Sequence, residues 1–163
     1  MEENVQPVEQ RGIFDNFAEH VDASVGARFL NFLIDNLLMR FVLSYATAYL
    51  MGIILAAVAP DFIEKLTYSE GDGFSGTLFF FTLIVGYLNY ILYYTVCETA
   101  FKGYTLGKLV TGTRAIREDG LPLTFRDALL RTLSRLVPFE PLSAFGGNPW
   151  HDTWTKTRVI KSR

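Results

Sequence analysis

Four polar side chains interrupt an apolar stretch near the start of this 163-residue chain. Arg28, Asp35, Asn36 and Arg40 lie within GARFLNFLIDNLLMRFVLSYATAYLMGIILAAVA, residues 26–59. Arg28 and Asp35 are two helical turns apart, so they share one helix face with Asn31 between them. A charge among apolar residues is costly alone, and an opposite charge within reach lowers that cost. The spacing admits an ion pair that fixes helix packing, a site for an ion or proton, or an Arg28 that reaches out to lipid phosphate. Arg40 lies deeper and needs a partner if the span begins at Phe29. Glu98 closes a second apolar stretch, at the end of a stripe of Tyr87, Tyr90, Tyr94 and Glu98 spaced by three and four. If the two stretches form an antiparallel pair, Glu98 returns to the depth of Arg28 and Asp35. Lys108, in GYTLGK (Gly103–Lys108), is positioned to meet either Glu98 or lipid phosphate. The pattern is not a phosphate loop, which requires GxxxxGK[ST]. His151-Asp152 stands without another histidine nearby and is weak evidence for metal or acid–base chemistry. No nucleophile–base set emerges, so we expect neither an enzyme nor a metal or other cofactor.

The elements that would position these residues are membrane spans. Half of the residues are hydrophobic and mean hydropathy is +0.21, with the apolar residues gathered into two runs. A continuous helix over Ser24–Ala59 would be ~50 Å long, beyond a ~30 Å hydrocarbon core. Its start would therefore lie in the interface, or the helix would tilt or bend, with Gly52 as a candidate bend. Ser24 is a candidate N-cap. Pro60 ends the run, Asp61–Gly73 reads as an acidic loop with a Gly71-Asp72-Gly73 turn, and the second span runs from Phe74 to Thr99. Cys97 is the single cysteine and reads as an apolar filler. Net charge is −2, yet eleven Lys or Arg face five acids after Ala100, whereas residues 1–23 hold six acids and one base. The positive-inside rule then puts both termini in the cytoplasm. The acidic N-terminus carries no cleavable signal peptide, so the first span would direct insertion.

The last third reads differently. Lys102–Gly112 is Gly-rich and reads as a loop. Thr113–Arg117 reads as a strand, followed by an Asp119-Gly120 turn and a returning edge at Leu121–Leu123. Thr157-Arg158-Val159-Ile160 echoes Thr113-Arg114-Ala115-Ile116, which suggests that the two segments pair. Thr124–Val137 is amphipathic, with Phe125, Ala128, Leu129, Thr132, Leu133, Leu136 and Val137 on one face and Asp127, Arg131, Ser134 and Arg135 on the other. Thr124 and Asp127 are placed to cap it. It is too short to span, so it would lie in the interface or pack on the hairpin. Pro138 and Pro141 end it, and Phe139–Phe145 is a candidate for dipping into the membrane.

These motifs together resemble the RDD family of small bacterial multi-pass membrane proteins, named for one arginine and two aspartates. Arg28 and Asp35 in GARFLNFLID match the arginine and first aspartate. Glu98, GYTLGK, the Gly112–Ile116 strand, Leu130-Arg131 and Trp150-His151-Asp152 continue the match, with Asp152 as the second aspartate. The broken stretch after Arg135 departs from members that have a longer apolar segment there. The resemblance implies the bacterial inner membrane and a role for which transport, including cation–proton exchange, has been proposed in some members.

The expected fold is an all-α membrane protein: a two-span antiparallel transmembrane hairpin (spans about 29–59 and 74–99) with a cytoplasmic interfacial amphipathic helix (124–137) and a small β-element. Residues 1–23 are expected to be an acidic mobile tail, and residues 148–163 a cytoplasmic segment of the 24–163 domain. The expected function is a small transporter or cation/proton exchanger. Two spans cannot enclose a path, so this requires a homo-oligomer, most simply a dimer. The alternative is a non-catalytic scaffold or accessory subunit with a membrane-protein partner. The lipid bilayer is a partner in both cases, and nucleic acid in neither. Candidate site residues are Arg28, Asn31, Asp35, Arg40, Glu98, Lys108 and Asp152.

Overall fold

The computed structural model describes residues 21–67, 75–147 and 149–162. Most of the acidic tail, with His20, and the Gly71-Asp72-Gly73 turn lie outside them. Ser24 caps the first helix, its hydroxyl accepting from Ala27 N–H at 3.3 Å. Helix α1 (Val25–Leu38), a π-helical turn (Met39–Leu43) and α2 (Ser44–Val58) run on as one 34-residue helix. Its irregularity is not at Gly52, which sits in regular helix. It lies at the π turn, where the Ser44 hydroxyl donates to Met39 O at 2.9 Å. Met39 is buried there against Tyr93 and Tyr94.

The loop expected from Asp61 is helical instead: α3 covers Pro60–Thr67. Proline suits a first helical position, where the missing N–H has no partner to lose. Helix α4 (Gly76–Ala100) is capped by Ser75, whose hydroxyl accepts from Leu78 N–H and donates to Leu66 O at 2.8 Å. Contacts between the long helices join late residues of one to early residues of the other. Met39 meets Tyr93 and the Thr47 hydroxyl meets Asn89 at 3.2 Å, while Phe62 of α3 lies edge-on to Phe81 of α4.

Polarity in these helices is inverted. The buried residues of α1 are Asn31 and Asp35, α2 buries none, and α4 buries Tyr93, Tyr94, Thr95 and Glu98. Phe29, Phe41, Tyr49, Phe80 and Leu88 are all about half exposed or more. In each long helix at most 6% of the most apolar stretch is buried. Water would penalise such a surface heavily, whereas a bilayer solvates it. Both helices are long and apolar enough to cross a membrane.

The expected loop at Lys102–Gly112 contains a short helix, α5 (Leu106–Thr111). The Thr105 hydroxyl caps it by accepting from Lys108 N–H, and Gly112 closes it at φ 65°. The echo segments do pair. β1 (Thr113–Arg117) lies antiparallel to β2 (Thr157–Lys161), from Thr113 opposite Lys161 to Arg117 opposite Thr157. The tail boundary at residue 23 needs moving, because Lys161 N–H donates to Val21 O (2.8 Å) and Ala23 N–H to Val159 O (2.9 Å). Leu121–Leu123 is not a strand. Leu123 instead joins Ala23, Ala115 and Val159 in a small core.

Helix α6 (Phe125–Ser134) has the expected Thr124–Asp127 capping box, but its faces differ from the pattern. Ala128 and Thr132 are buried, whereas Phe125 and Leu133 are exposed, and Arg131 is fully buried. The helix packs on α4 through its small residues, with Thr95 and Thr132 hydroxyls 3.4 Å apart. That approach draws Arg131 inward to buried carboxylates and turns the large apolar side chains away. The rest is short: α7 (Glu140–Ser143), a 3-10 turn at Ala144–Gly146 and α8 (Trp150–Thr155).

Candidate functional site

Four buried carboxylates, Asp35, Glu98, Glu140 and Asp152, gather where the cap, from α5 to β2, joins the polar ends of α1 and α4. Asp35 sits at the start of α5. Its Oδ1 accepts from Tyr93 Oη–H at 2.7 Å and Gly107 N–H at 2.8 Å, and its Oδ2 from Thr105 Oγ1–H at 2.7 Å. The carboxylate thus satisfies backbone and hydroxyl donors at a helix start, where negative charge is favoured. Contact this close requires glycine: a Cβ on Gly107 would lie 2.4 Å from Asn31 O and 3.0 Å from Asp35 Cγ. One turn earlier, Asn31 bonds across the same gap. With its amide oriented to suit its neighbours, Nδ2 donates to Ala27 O (3.2 Å) and Gly107 O (3.1 Å), and Oδ1 accepts from Thr113 Oγ1–H at 2.9 Å.

Glu98 is completely buried and holds three cations. Lys108 Nζ–H donates to Oε1 at 2.7 Å, Arg135 Nη2–H to Oε1 at 2.8 Å, and Arg131 Nε–H to Oε2 at 3.1 Å. Burial pushes the Lys108 ammonium down to about 8, with Arg131 and Arg135 adding to the fall and Glu98 opposing it. Burial also disfavours the charge on Arg135, but Glu98, Tyr90 and Tyr94 together outweigh it and the guanidinium is held above its usual value. Arg135 lies over the Tyr94 ring at 4.6 Å. Gly103 ties this cluster to the sheet, accepting from Ala115 N–H at 2.9 Å. Its φ of 96° and a Cβ position only 1.9 Å from Ala115 O exclude a side chain.

Asp152 bridges two arginines. Arg131 Nη1–H donates to Oδ1 at 2.6 Å and Arg28 Nη1–H to Oδ2. Burial would raise the Asp152 carboxyl, but Arg131, His151 and Arg28 hold it well below the usual range. Arg28 also donates to Ala23 O (3.2 Å) and Val159 O (3.3 Å), fixing α1 to the sheet. The neighbouring His151 pairs through Nδ1 with Glu140. Burial lowers His151 to about 4, with Arg135 reinforcing the shift and Glu140 opposing it. His151 is therefore neutral at pH 7.

Six of the seven sequence candidates lie at this junction, but not as the spacing suggested. Arg28 and Asp35 share a face without pairing: Arg28 reaches Asp152 and Asp35 reaches α5. Arg40 is exposed and stands outside the cluster. Lys108 meets Glu98, one of its two expected partners. Sequence reasoning missed Arg131, Arg135, Glu140, Thr105 and Tyr93. A signal for the arginines existed, since a single glutamate ending an apolar span needs cations and Arg131 and Arg135 are one turn apart.

Beside the cluster is a cavity of about 160 Å³ between α1, α4 and the cap. Arg28, Lys108, Arg135 and His151 contribute its basic lining, and Phe29 and Phe32 are among its apolar walls. No curated protein and no solved structure matches the chain. The RDD family model matches residues 22–155, a range that includes Arg28, Asp35, Glu98, Lys108, Arg131 and Asp152. The chain belongs to the RDD family, whose proteins are membrane proteins.

Proposed function

We propose that the chain is a non-catalytic two-span membrane module. Its charge network locks a cytoplasmic cap onto the inner end of an antiparallel hairpin, and the fixed cap serves as a docking surface for a membrane-protein partner. Glu98 carries this reading: a completely buried carboxylate saturated by three cations of the cap. The whole cluster balances. Arg28, Lys108, Arg131 and Arg135 face Asp35, Glu98, Glu140 and Asp152, with His151 neutral. Family membership and the basic C-terminal third support placement in the bacterial inner membrane with both termini cytoplasmic. The exposed, stacked Trp150–Trp154 pair, 5.6 Å between centroids, suits the cytoplasmic interface.

The competing reading is a cation/proton exchanger working as an oligomer. It requires a carboxylate free to trade partners, and the oxygens of Asp35 and Glu98 are already occupied. Glu98→Gln separates the two. Removing one partner of a buried ion cluster costs ~3–5 kcal/mol. The variant should therefore melt about 10 °C below wild type, and wild-type proteoliposomes should show no sodium–proton flux above empty ones. Wild-type flux lost in Glu98→Gln at an unchanged melting temperature would replace the module with an exchanger.

A further inference from the structure

The cavity beside the charge cluster is unevenly equipped for hydrogen bonding. Arg135 is nine-tenths buried and lines it; its Nη2 is committed to Glu98, but its Nη1 is buried with no acceptor among the described residues. The carboxylates that also line the cavity already hold donors: Asp35 has three, and Glu140 has the His151 ring and backbone. The buried donor left unpartnered in this wall is thus a guanidinium N–H, which calls for an acceptor, best an anionic one. Arg28 and Lys108 add positive potential alongside. Phe29 and Phe32, on the flank of α1, are both exposed at the apolar surface of the helix as well as lining the cavity. An occupant therefore meets a cationic floor at one end and an apolar rim at the other.

We propose that this cavity binds the phosphate headgroup of an anionic phospholipid, with the Arg135 guanidinium, which lines the cavity, turning so that its unpartnered Nη1 donates to a phosphate oxygen, and the acyl chains leaving past Phe29 and Phe32. The volume of about 160 Å³ admits a phosphoglycerol-sized headgroup and not a whole lipid, which suits a tail left outside. The site does not depend on whether the charge network is structural or takes part in exchange.

The test is native mass spectrometry of the full chain in detergent with equal phosphatidylglycerol and phosphatidylcholine. The expected result is one retained phosphatidylglycerol per chain, favoured at least ten-fold over phosphatidylcholine. Equal retention of the two lipids would overturn the proposal. Inorganic phosphate at matched concentration should not displace the lipid, and full displacement would assign the site to a soluble phosphate and overturn the lipid assignment. Arg135→Lys keeps a cation for Glu98 but replaces the planar fork of two terminal nitrogens with a single shorter-reaching one, and retention should fall about ten-fold. Because that variant touches the network, Ala144→Phe is the second. Ala144 lines the cavity and takes part in no ion pair, so the bulkier side chain should abolish retention without lowering the melting temperature measured free of lipid. Unchanged retention in a folded Ala144→Phe protein would overturn the site.

Discussion

Gly107 shows how much of this junction rests on single atoms. Its N–H donates to Asp35, and its Cα faces the Asn31 backbone at a distance where an added Cβ would sit 2.4 Å from the carbonyl oxygen. Neither neighbour can swing aside, because one is helix backbone and the other is held by three hydrogen bonds. Gly107→Ala must therefore push α5 away from α1 and stretch the Asp35 bonds. The expected loss is at or above the upper end of the ~1–3 kcal/mol typical of overpacking. A fall in thermal unfolding midpoint measures it, and an unchanged midpoint would show that α5 does not pack this closely. Residue types were the most legible part of the site: Arg28, Asp35, Glu98, Lys108 and Asp152 all announce themselves as charges that an apolar chain must explain. Their partners were not legible, because partner choice depends on which elements fold back together. Arg28 and Asp152 are 124 positions apart and meet only once β2 has paired with β1.

At the scale of elements, local signals survived where chemistry was local. The Ser24 and Thr124 caps and the β1–β2 echo could be read because a hydroxyl at an N-cap or a repeated strand pattern acts over a few residues, whereas the Thr105 cap was hidden in a glycine-rich stretch read as a loop. Helix α6 defeated the pattern because amphipathicity assumes a wet outer face. Here Arg131 turns inward to carboxylates and Leu130 and Leu133 outward. The cap elements also carry a pH dependence. His151 falls from 6.5 to about 4 on folding, so between those values the unfolded chain binds a proton that the folded chain refuses. Stability therefore declines as pH falls through that window. Glu140 and Asp152 are held below their usual values, so the stability they add at neutral pH is lost at still lower pH. All three act in one direction. The melting temperature should drop between pH 7 and pH 4.5, by a free-energy change on the order of 1–3 kcal/mol from His151. In His151→Gln that slope should flatten, and an equally steep slope in the variant would remove His151 as its source.

For the whole molecule, polar contacts inside and apolar side chains outside are the organising fact. The buried ends of α1 and α4 are the ends that meet the cap, while α2 and the first half of α4 present almost nothing but exposed apolar surface. This asymmetry gives the molecule two ends. Basic residues crowd the cap end, and the opposite end holds α3 with Lys65. If the positive-inside rule governs insertion, the cap is cytoplasmic and α3 faces the other side. Cys97 is the single cysteine, so Cys97→Ser provides a clean background for labelling. On that background Lys65→Cys and Lys161→Cys put one thiol at each end, both at exposed positions. A membrane-impermeant maleimide added to intact spheroplasts should label the first and reach the second only after permeabilisation. Labelling of both in intact cells would break the two-span hairpin, and labelling of Lys161→Cys alone would invert it. Inversion would set the eleven basic residues on the wrong side of the bilayer and leave the folded junction unchanged. The experiment therefore tests the orientation of the hairpin independently of the contacts that hold its cap.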